Sequence, residues 1–168
     1  MPTIDPTEFA RAMAQVPTPV TVVTTVDGAG RRWGFTASSF TSLSLDPPLV
    51  LVCPAKTASC HDAFVTCGRF LVNVLAADHT DVAASFARSA ADKFTGSPME
   101  AFEHGLPGLP DATARLVCTL HDVLDGGDHS ILVGRVESVT VGGADPLVYH
   151  NRQFTRPGSS PALVSSTR

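Results

Sequence analysis

Runs of β-branched and apolar residues recur along the chain, and they limit its possible folds more than any other feature. Such residues favour strands. The predicted strands are residues 19–26, 31–40, 49–54, 69–75, 114–124, 129–141 and 146–150. Apolar residues at helical spacing predict short helices at residues 6–16, 56–68 and 78–88. Because strands and helices do not alternate regularly, a parallel sheet is disfavoured, and an antiparallel barrel with helical insertions fits best.

The first predicted helix is amphipathic. Asp5 stands where a helix cap is expected, and Phe9, Ala12, Met13 and Val16 fall on one face. We therefore expect this helix to begin next to Asp5 and to carry one apolar face.

The length of 168 residues suits a single domain with one sizeable core. We assign residues 1–156 to this domain and residues 157–168 to a flexible C-terminal tail. Residues 96–112 contain three prolines and three glycines, which predicts a loop or lid.

The composition argues against several classes of function. A net charge of −4 disfavours non-specific binding to nucleic acid. No apolar run approaches the roughly 18 residues of a membrane span, and the N-terminus lacks a signal-peptide pattern, so we expect a cytoplasmic protein without membrane association. A metal site is not expected, because no cysteines form C-x-x-C pairs, and the four are interpreted as mostly buried free thiols: Cys53, Cys60, Cys67 and Cys118.

Small hydroxyl residues crowd the segment GFTASSFTSLSLDPPLVLVCP, residues 34–54. Serine is a poor strand former, so a purely structural strand does not need this pattern. Beside Gly34, such a segment lets a ligand approach the backbone closely. A solvent-facing strand and turn explains it equally well.

Two stretches carry groups suited to a phosphate. Lys56, Thr57 and Ser59 open a predicted helix, where free amides and a cation favour an anion. An ordinary helix cap is the simpler explanation. Arg88 and Lys93 form a second basic cluster, which taken alone is typical of a solvated face.

A third candidate lies at the turn before the strand at 129–141. Asp128 and His129 follow two glycines, so His129 faces either a pocket or solvent, and Asp128 is placed to orient its imidazole. A simple hairpin turn is equally compatible. The remaining histidines show no ligand spacing and are interpreted as surface or capping residues.

The chain lacks the usual nucleotide-binding and hydrolase motifs, including GxGxxG, GxSxG, the P-loop and HExxH. Nothing resembles an activated nucleophile. A polar pocket without a catalytic base suggests that a cofactor carries the chemistry.

Taken together and in this order, these stretches resemble the flavin reductase-like family of the FMN-binding split barrel. The matching pieces are PVTVVTT, GFTASSFTSLSLDPPLVLVCP, the segment from Thr57 to Phe64, FLVNVL, residues 86–94, GDHSILVGRV and PLVYHNRQF. The segments TASSFTSLS and GDHSILVGRV are the most specific.

This resemblance implies a mainly β protein, a six-stranded antiparallel Greek-key split barrel with a few flanking helices. It implies a homodimer with flavin near the subunit interface. It also implies an NAD(P)H-dependent flavin reductase, which reduces FMN or FAD with NADH or NADPH. The reduced flavin would diffuse to a partner monooxygenase.

The resemblance also implies roles for particular residues. His129 is expected to face the nicotinamide and to be the catalytic residue, and Ser59 and Lys93 are expected near the flavin phosphate. The complete set of implied cofactor-binding residues is Thr36, Ala37, Ser38, Ser39, Cys53, Pro54, Ser59, Phe86, Ala87, Lys93, Phe94, Asp128, His129, Tyr149 and Arg152.

Three other functions stay open at this point. A non-catalytic flavin- or haem-binding module on the same barrel would explain the hydroxyl-rich pocket without a nicotinamide site. An amine oxidase acting on phosphorylated vitamin B6 would need more basic residues, and a nucleic-acid-binding barrel would need a basic, aromatic face.

Overall fold

The computed structural model describes residues 3–89 and 92–158, and these form a mainly β protein with few helices. The helices are α1 (Pro6–Ala14), α2 (His61–Val65) and α3 (Thr80–Ala87), with a 3₁₀ turn at Glu103–Gly105. The strands are β1 (Thr18–Pro19), β2 (Thr21–Val26), β3 (Arg32–Ala37), β4 (Thr41–Leu45), β5 (Pro48–Val52), β6 (Arg69–Val74), β7 (Glu100–Ala101), β8 (Pro107–Gly108), β9 (Ala114–Gly126), β10 (His129–Val141), β11 (Val148–His150) and β12 (Gln153–Thr155).

The main sheet is antiparallel, as predicted, but it has seven strands within the described residues rather than the expected six. Its order is β3-β2-β6-β9-β10-β5-β4, so β3 and β4 are its two edges and the sheet is not closed. The additional strand is β4, which pairs with β5 from Thr41 opposite Leu51 to Leu45 opposite Pro48. The sequence placed the second strand at 31–40, but β3 ends at Ala37 and the hydroxyl-rich residues after Phe40 form a separate edge strand.

Helices α2 and α3 pack on the sheet through two apolar clusters. Around α2, the rings of Phe35 and Phe64 meet edge to face with centroids 4.8 Å apart. Around α3, Ala83 and Phe86 are buried against β2. Full burial of one such large side chain is worth about 1.5–3 kcal/mol, so these contacts fix α2 and α3 on the sheet.

The first helix forms where the sequence predicts, but its apolar face is exposed. The carboxylate of Asp5 accepts a hydrogen bond from the backbone N–H of Thr7 at 2.7 Å, which caps α1. No residue of α1 is buried, and Phe9 is 59% exposed. The predicted apolar face is therefore present but uncovered in the single chain.

The segment at residues 96–112, predicted to be a loop or lid, is mostly irregular and packs on the sheet. It contains the short β7–β8 pair, and Leu106 and Leu109 are buried. The amide oxygen of Asn73 accepts a hydrogen bond from the N–H of Leu109 at 2.9 Å, and Thr24 donates to the carbonyl of Pro107. Apolar residues between the prolines and glycines anchor the segment, so it is not a free lid.

Most of the predicted C-terminal tail lies outside the described residues, which end at residue 158.

Cys60, Cys67 and Cys118 are buried free thiols and Cys53 is partly exposed, as expected. Within the described ranges, none of the helices combines the length and apolar character that crossing a bilayer requires.

Candidate functional site

Two adjoining cavities lie between β3, the end of α3 with the loop that follows it, and the turns that precede α2. The first, here called the histidine cavity, has a volume of about 280 Å³ and is lined by His129, Cys53, Ser59, Phe86 and Lys93 among others. The second, the tryptophan cavity, has a volume of about 510 Å³ and is lined by Trp33 and its neighbours. Both volumes are of the order found for small-molecule pockets, and the two cavities share Ser59, Cys60, Ser89 and Lys93.

The structure brings most of the implied cofactor-binding residues to these cavities. Of the implied residues, those that line the histidine cavity are Thr36, Cys53, Ser59, Phe86, Ala87, Lys93 and His129. Phe94 lines the tryptophan cavity.

Other implied residues support the lining from behind. The hydroxyl of Ser39 accepts a hydrogen bond from the N–H of Cys53 at 3.0 Å. Ala37 and Pro54 are buried, and the carbonyl of Pro54 accepts from the N–H of Ser130 at 3.0 Å. Ser38 is exposed beside them and lines neither cavity.

Tyr149 and Arg152 are not brought to either cavity of their own chain. They lie in and next to the separate sheet β1-β11-β12, where the Tyr149 ring contacts Phe154 edge to face. Arg152 is exposed at the β11–β12 turn with a φ of 62°. Their expected role at the pocket rim is not met within one copy of the chain.

The space next to Gly34 is taken by the protein itself. A Cβ at this position would lie 2.8 Å from the ring of Phe86 and 3.3 Å from that of Phe94. Gly34 therefore lets α3 approach β3, and it also lines the tryptophan cavity. The hydroxyl of Thr36 is also engaged, since it donates to the carbonyl of Ala83 at 2.7 Å.

Lys93 is the main cation of both cavities. Its Nζ donates to the carbonyls of Phe86 at 2.9 Å and Gly34 at 3.2 Å, and burial lowers its pKa. An ammonium carries three N–H donors, so one remains for a ligand. With Arg88 also lining the histidine cavity, the basic cluster belongs to a pocket and is not merely a solvated face.

The segment predicted to open the second helix and to bind a phosphate is not helical at its start. Helix α2 begins at His61, because residues 55–60 form successive turns with Ala58 N–H donating to Ala55 and His61 N–H donating to Ala58. The predicted helix at 56–68 is therefore five residues long and has no positive end at Lys56. Lys56 instead pairs with Asp125, whereas Thr57 and Ser59 do line the histidine cavity.

His129 also lines the histidine cavity and is held in place by its neighbours. Its Nδ1 lies 2.7 Å from the carboxylate of Asp128, whose pKa is lowered mainly by this hydrogen bond. The N–H of Lys56 donates to the carbonyl of Asp128 at 2.9 Å, which ties the turn down. With Nδ1–H donated to Asp128, Nε2 of the neutral ring is an acceptor.

Sequence reasoning missed several residues that line the cavities or support their lining. His61, interpreted as a surface or capping residue, is hydrogen-bonded through Nε2 to the hydroxyl of Ser130 at 2.9 Å. Arg31, Arg32 and Trp33 line the tryptophan cavity. The run Arg-Arg-Trp was the only available signal, since the loop that faces it is distant in sequence.

The groups present fit a flat ring that carries a phosphate. Apolar walls come from Phe35, Ala58 and Phe86. Donors for an anion include the third N–H of Lys93, the side chain of Arg88 and the hydroxyls of Thr57 and Ser59. No group of three potential metal ligands occurs in residues 3–89 and 92–158.

Comparisons with known proteins agree with this chemistry. The model of the "Flavin reductase like domain" family matches residues 13–158. The chain is 44% identical over 167 residues to the NADH:riboflavin 5'-phosphate oxidoreductase of Streptomyces pristinaespiralis, covering 97% of this chain and 95% of that protein. It is 40% identical over 153 residues to the flavin-dependent monooxygenase reductase subunit HsaB of Rhodococcus jostii (strain RHA1), covering 90% of this chain and 78% of that protein.

Among solved structures, the chain is similar to the NADH:FAD oxidoreductase SgcE6 of Streptomyces globisporus C-1027 in complex with NAD and FAD fragments. The TM-score is 0.88 at 35% identity, over 96% of this chain and 100% of that one. The family match spans far more than half of the chain. This chain therefore belongs to the flavin reductase like family.

Proposed function

We propose that this protein is an NAD(P)H-dependent flavin reductase, which reduces FMN or FAD and supplies the free reduced flavin to a separate monooxygenase. One observation carries the proposal. His129, oriented by Asp128, lines the same cavity of about 280 Å³ as Lys93 and Ser59. A cation for phosphate and a positioned imidazole thus share one pocket, and relatives are named as flavin oxidoreductases and monooxygenase reductase components.

A bound flavin would supply the redox chemistry, by accepting a hydride from the nicotinamide at its ring. The chain's own residues contribute binding and orientation. Lys93, with its remaining N–H, and the hydroxyls of Thr57 and Ser59 would hold the phosphate. Holding two reactants in contact can account for several kcal/mol of a barrier, roughly up to 7–11 kcal/mol in favourable cases.

His129 would act on the nicotinamide side. The Asp128 carboxylate fixes the ring through Nδ1, so that Nε2 is free to contact a donor's carboxamide. No protein residue is required as a proton donor to the flavin. We therefore assign His129 to positioning the nicotinamide and not to acid–base chemistry.

We further propose that the protein works as a homodimer and that its open sheet is the split barrel implied by the sequence, with the opening between β3 and β4. The exposed apolar residues of α1 and of the turn after it support a second copy as the partner that covers them, because Phe9, Met13 and Val16 are each about half exposed or more. The β11–β12 turn adjoins this helix, since the N–H of Asn151 donates to the carbonyl of Ala14 at 2.7 Å. Arg152 would then reach the site of the second copy.

The decisive experiment mixes the purified protein with NADH or NADPH and with FMN or FAD under anaerobic conditions. Loss of absorbance of the reduced nicotinamide and of the oxidised flavin, at a rate proportional to protein concentration, is expected. Flavin binding without acceleration for any of the four pairings would instead identify a non-catalytic flavin-binding module. Absence of both binding and acceleration would overturn the proposal.

A further inference from the structure

A buried side-chain contact joins helix α2 to the strand that carries His129. Nε2 of His61, in the first turn of α2, lies 2.9 Å from the hydroxyl oxygen of Ser130, which follows His129 on β10. Asp62, His61 and Ser130 are connected like a nucleophile with its base, but Ser130 is only 6% exposed and lines neither cavity. The contact therefore serves the arrangement of the protein and not a reaction at Ser130.

The proton positions in this contact follow from the neighbour of His61. Nδ1 of His61 lies 3.1 Å from the carboxylate of Asp62, which favours the proton on Nδ1. Nε2 of the neutral ring is then an acceptor, and the Ser130 hydroxyl donates to it. A side chain that replaces His61 must therefore offer an acceptor at the position of Nε2.

The end of the β9–β10 hairpin needs such an anchor because most of it lies in solvent. Residues 121–128 are exposed, and the imidazole of His129 is about half exposed. The ion pair between Lys56 and Asp125 is exposed as well, and pairs of that kind contribute little to stability. Asp128 fixes the ring of His129, but its own carboxylate lies in solvent and does not fix the strand.

Ser130 holds this end of the hairpin from its buried side. Its N–H donates to the carbonyl of Pro54 at 3.0 Å, and its hydroxyl donates to His61. Helix α2 is itself fixed in the core by Phe64, which is fully buried. Because successive side chains of a strand point to opposite faces, the contact that fixes Ser130 on one face also fixes the direction of His129 on the other.

We propose that His61 is a positioning residue for His129, whose place beside the flavin is set by the hydrogen bond between His61 and Ser130. The catalytic consequence rests on the proposed function, because His129 is assigned there to the nicotinamide.

The groups assigned to the flavin phosphate are held independently of this bond. Lys93 donates to carbonyls of β3 and α3, and the turns that carry Thr57 and Ser59 are held by backbone hydrogen bonds. Loss of the His61 side chain is therefore expected to disturb the nicotinamide side and to leave flavin affinity in place.

The test compares His61→Ala with His61→Gln in the full chain. Alanine removes the acceptor, whereas the side-chain carbonyl of glutamine can accept from the Ser130 hydroxyl in its place. His121→Ala is the matched control, since His121 is an exposed histidine on β9 outside both cavities. Ser130→Ala breaks the same bond from the other partner and replaces His61→Ala if that variant does not fold. Melting temperatures establish which variants are folded.

The first readout is the NMR signal of the His129 ring in the protein without flavin, which requires no turnover. The ring-proton shifts, assigned by their loss in His129→Ala, are expected to move in His61→Ala and to return towards the wild-type values in His61→Gln. His121→Ala should leave them unchanged. Identical His129 shifts in wild type and His61→Ala would overturn the inference, whether or not the protein reduces flavin.

The second readout is anaerobic reduction of FMN by NADH. His61→Ala is expected to raise the KM for NADH or to slow hydride transfer by about threefold to tenfold, while the FMN dissociation constant stays within about twofold of wild type. In the His129→Ala background the same change should add nothing, because a residue that acts through His129 has no effect once that imidazole is gone. Additive losses in the double variant would overturn the positioning role.

The two readouts separate this inference from the proposed function. If wild type reduces flavin and His61→Ala does so with the same KM and rate, only the positioning role fails. If wild type reduces no flavin but the His129 signal follows the substitutions at His61, the proposed function fails and the positioning contact stands.

Discussion

The side-chain nitrogen of Lys93 lies 3.2 Å from the carbonyl oxygen of Gly34 and donates a hydrogen bond to it. This contact ties the loop after α3 to the edge strand β3. Since Lys93 also lines both cavities, the cation that would hold a phosphate is positioned by the backbone of the sheet.

Replacing Lys93 with glutamine is expected to weaken FMN binding selectively. The variant loses the charge that faces the phosphate, and we expect the FMN dissociation constant to rise by about tenfold or more. Riboflavin, which lacks the phosphate, should bind with nearly unchanged affinity. Calorimetric titration with both flavins measures this difference, and an equal loss for both would show that Lys93 acts only on the structure.

Affinity for FMN should also fall at a lower pH than it would if the phosphate were held by a lysine with an ordinary pKa. Burial disfavours the ammonium and lowers the pKa of Lys93 below its usual 10.5. The charge, and with it the affinity for phosphate, is present below the lowered pKa and is lost as the pH rises through it. Titrating FMN at intervals between about pH 7 and pH 10 tests this. Lys93→Arg should remove the pH dependence, because a guanidinium stays charged throughout this range.

Gly34→Ala is expected to destabilise the protein, because the added Cβ would lie 2.8 Å from the Phe86 ring. Forcing a methyl group into a packed contact typically costs about 1–3 kcal/mol. Urea unfolding measures the change in the free energy of unfolding. Gly28→Ala is the matched control, since a Cβ there has no atom within 4 Å, and it should change stability by no more than about 0.5 kcal/mol.

The strands of the fold follow directly from the sequence. The predicted strand at 129–141 is β10, and the predicted strand at 69–75 differs from β6 by one residue. These segments are dense in β-branched and apolar residues that pack on one sheet, so local preference and tertiary burial agree. The buried face of α3 was predictable for the same reason, because Ala83 and Phe86 recur at helical spacing.

The errors arose where tertiary contacts override local pattern. Residues 56–60 have a helix-like sequence, but the turns that join β5 to α2 are held by the hairpin end at Asp128, which is distant in sequence. The role of Gly34 could not be predicted, because its partner Phe86 lies on another element. Trp33 likewise lines its cavity only because the loop at residues 92–95, distant in sequence, packs opposite β3.

His129→Ala is expected to impair use of the nicotinamide while flavin binding persists. Nε2 is the atom assigned to the donor, so the KM for NADH should rise or hydride transfer should slow, by about tenfold. Stopped-flow reduction and FMN titration separate the two effects. His121→Ala, which changes an exposed histidine on β9 outside both cavities, is the control. Equal loss of flavin affinity and turnover would contradict a nicotinamide role.

Asp128→Asn should produce a smaller version of the same defect. The amide can still hold Nδ1 but without charge, so we expect a loss of about threefold to tenfold, confined to the KM for NADH or to hydride transfer. The hydrogen bond to His129 lowers the pKa of Asp128 below its usual value of 3.8. The carboxylate, and with it the orientation of the imidazole, is therefore present above the lowered pKa and is lost as the pH falls through it. An unchanged KM and rate in Asp128→Asn would show that His129 needs no orienting carboxylate.

Phe9→Asp tests the proposed dimer and its consequence for the site. The wild-type chain should have twice its mass of 17.6 kDa by light scattering, whereas Phe9→Asp should be a monomer, because a carboxylate in an apolar interface is costly to bury. Thr7→Asp adds the same charge on the other side of α1 and should stay dimeric.

If Arg152 contacts the flavin in the cavity of the second copy, Arg152→Gln should weaken flavin binding in the wild-type background. The same change should cause no further loss of flavin affinity in the Phe9→Asp monomer. Additive losses would place Arg152 at the site of its own chain, and a monomeric wild type would refute the dimer.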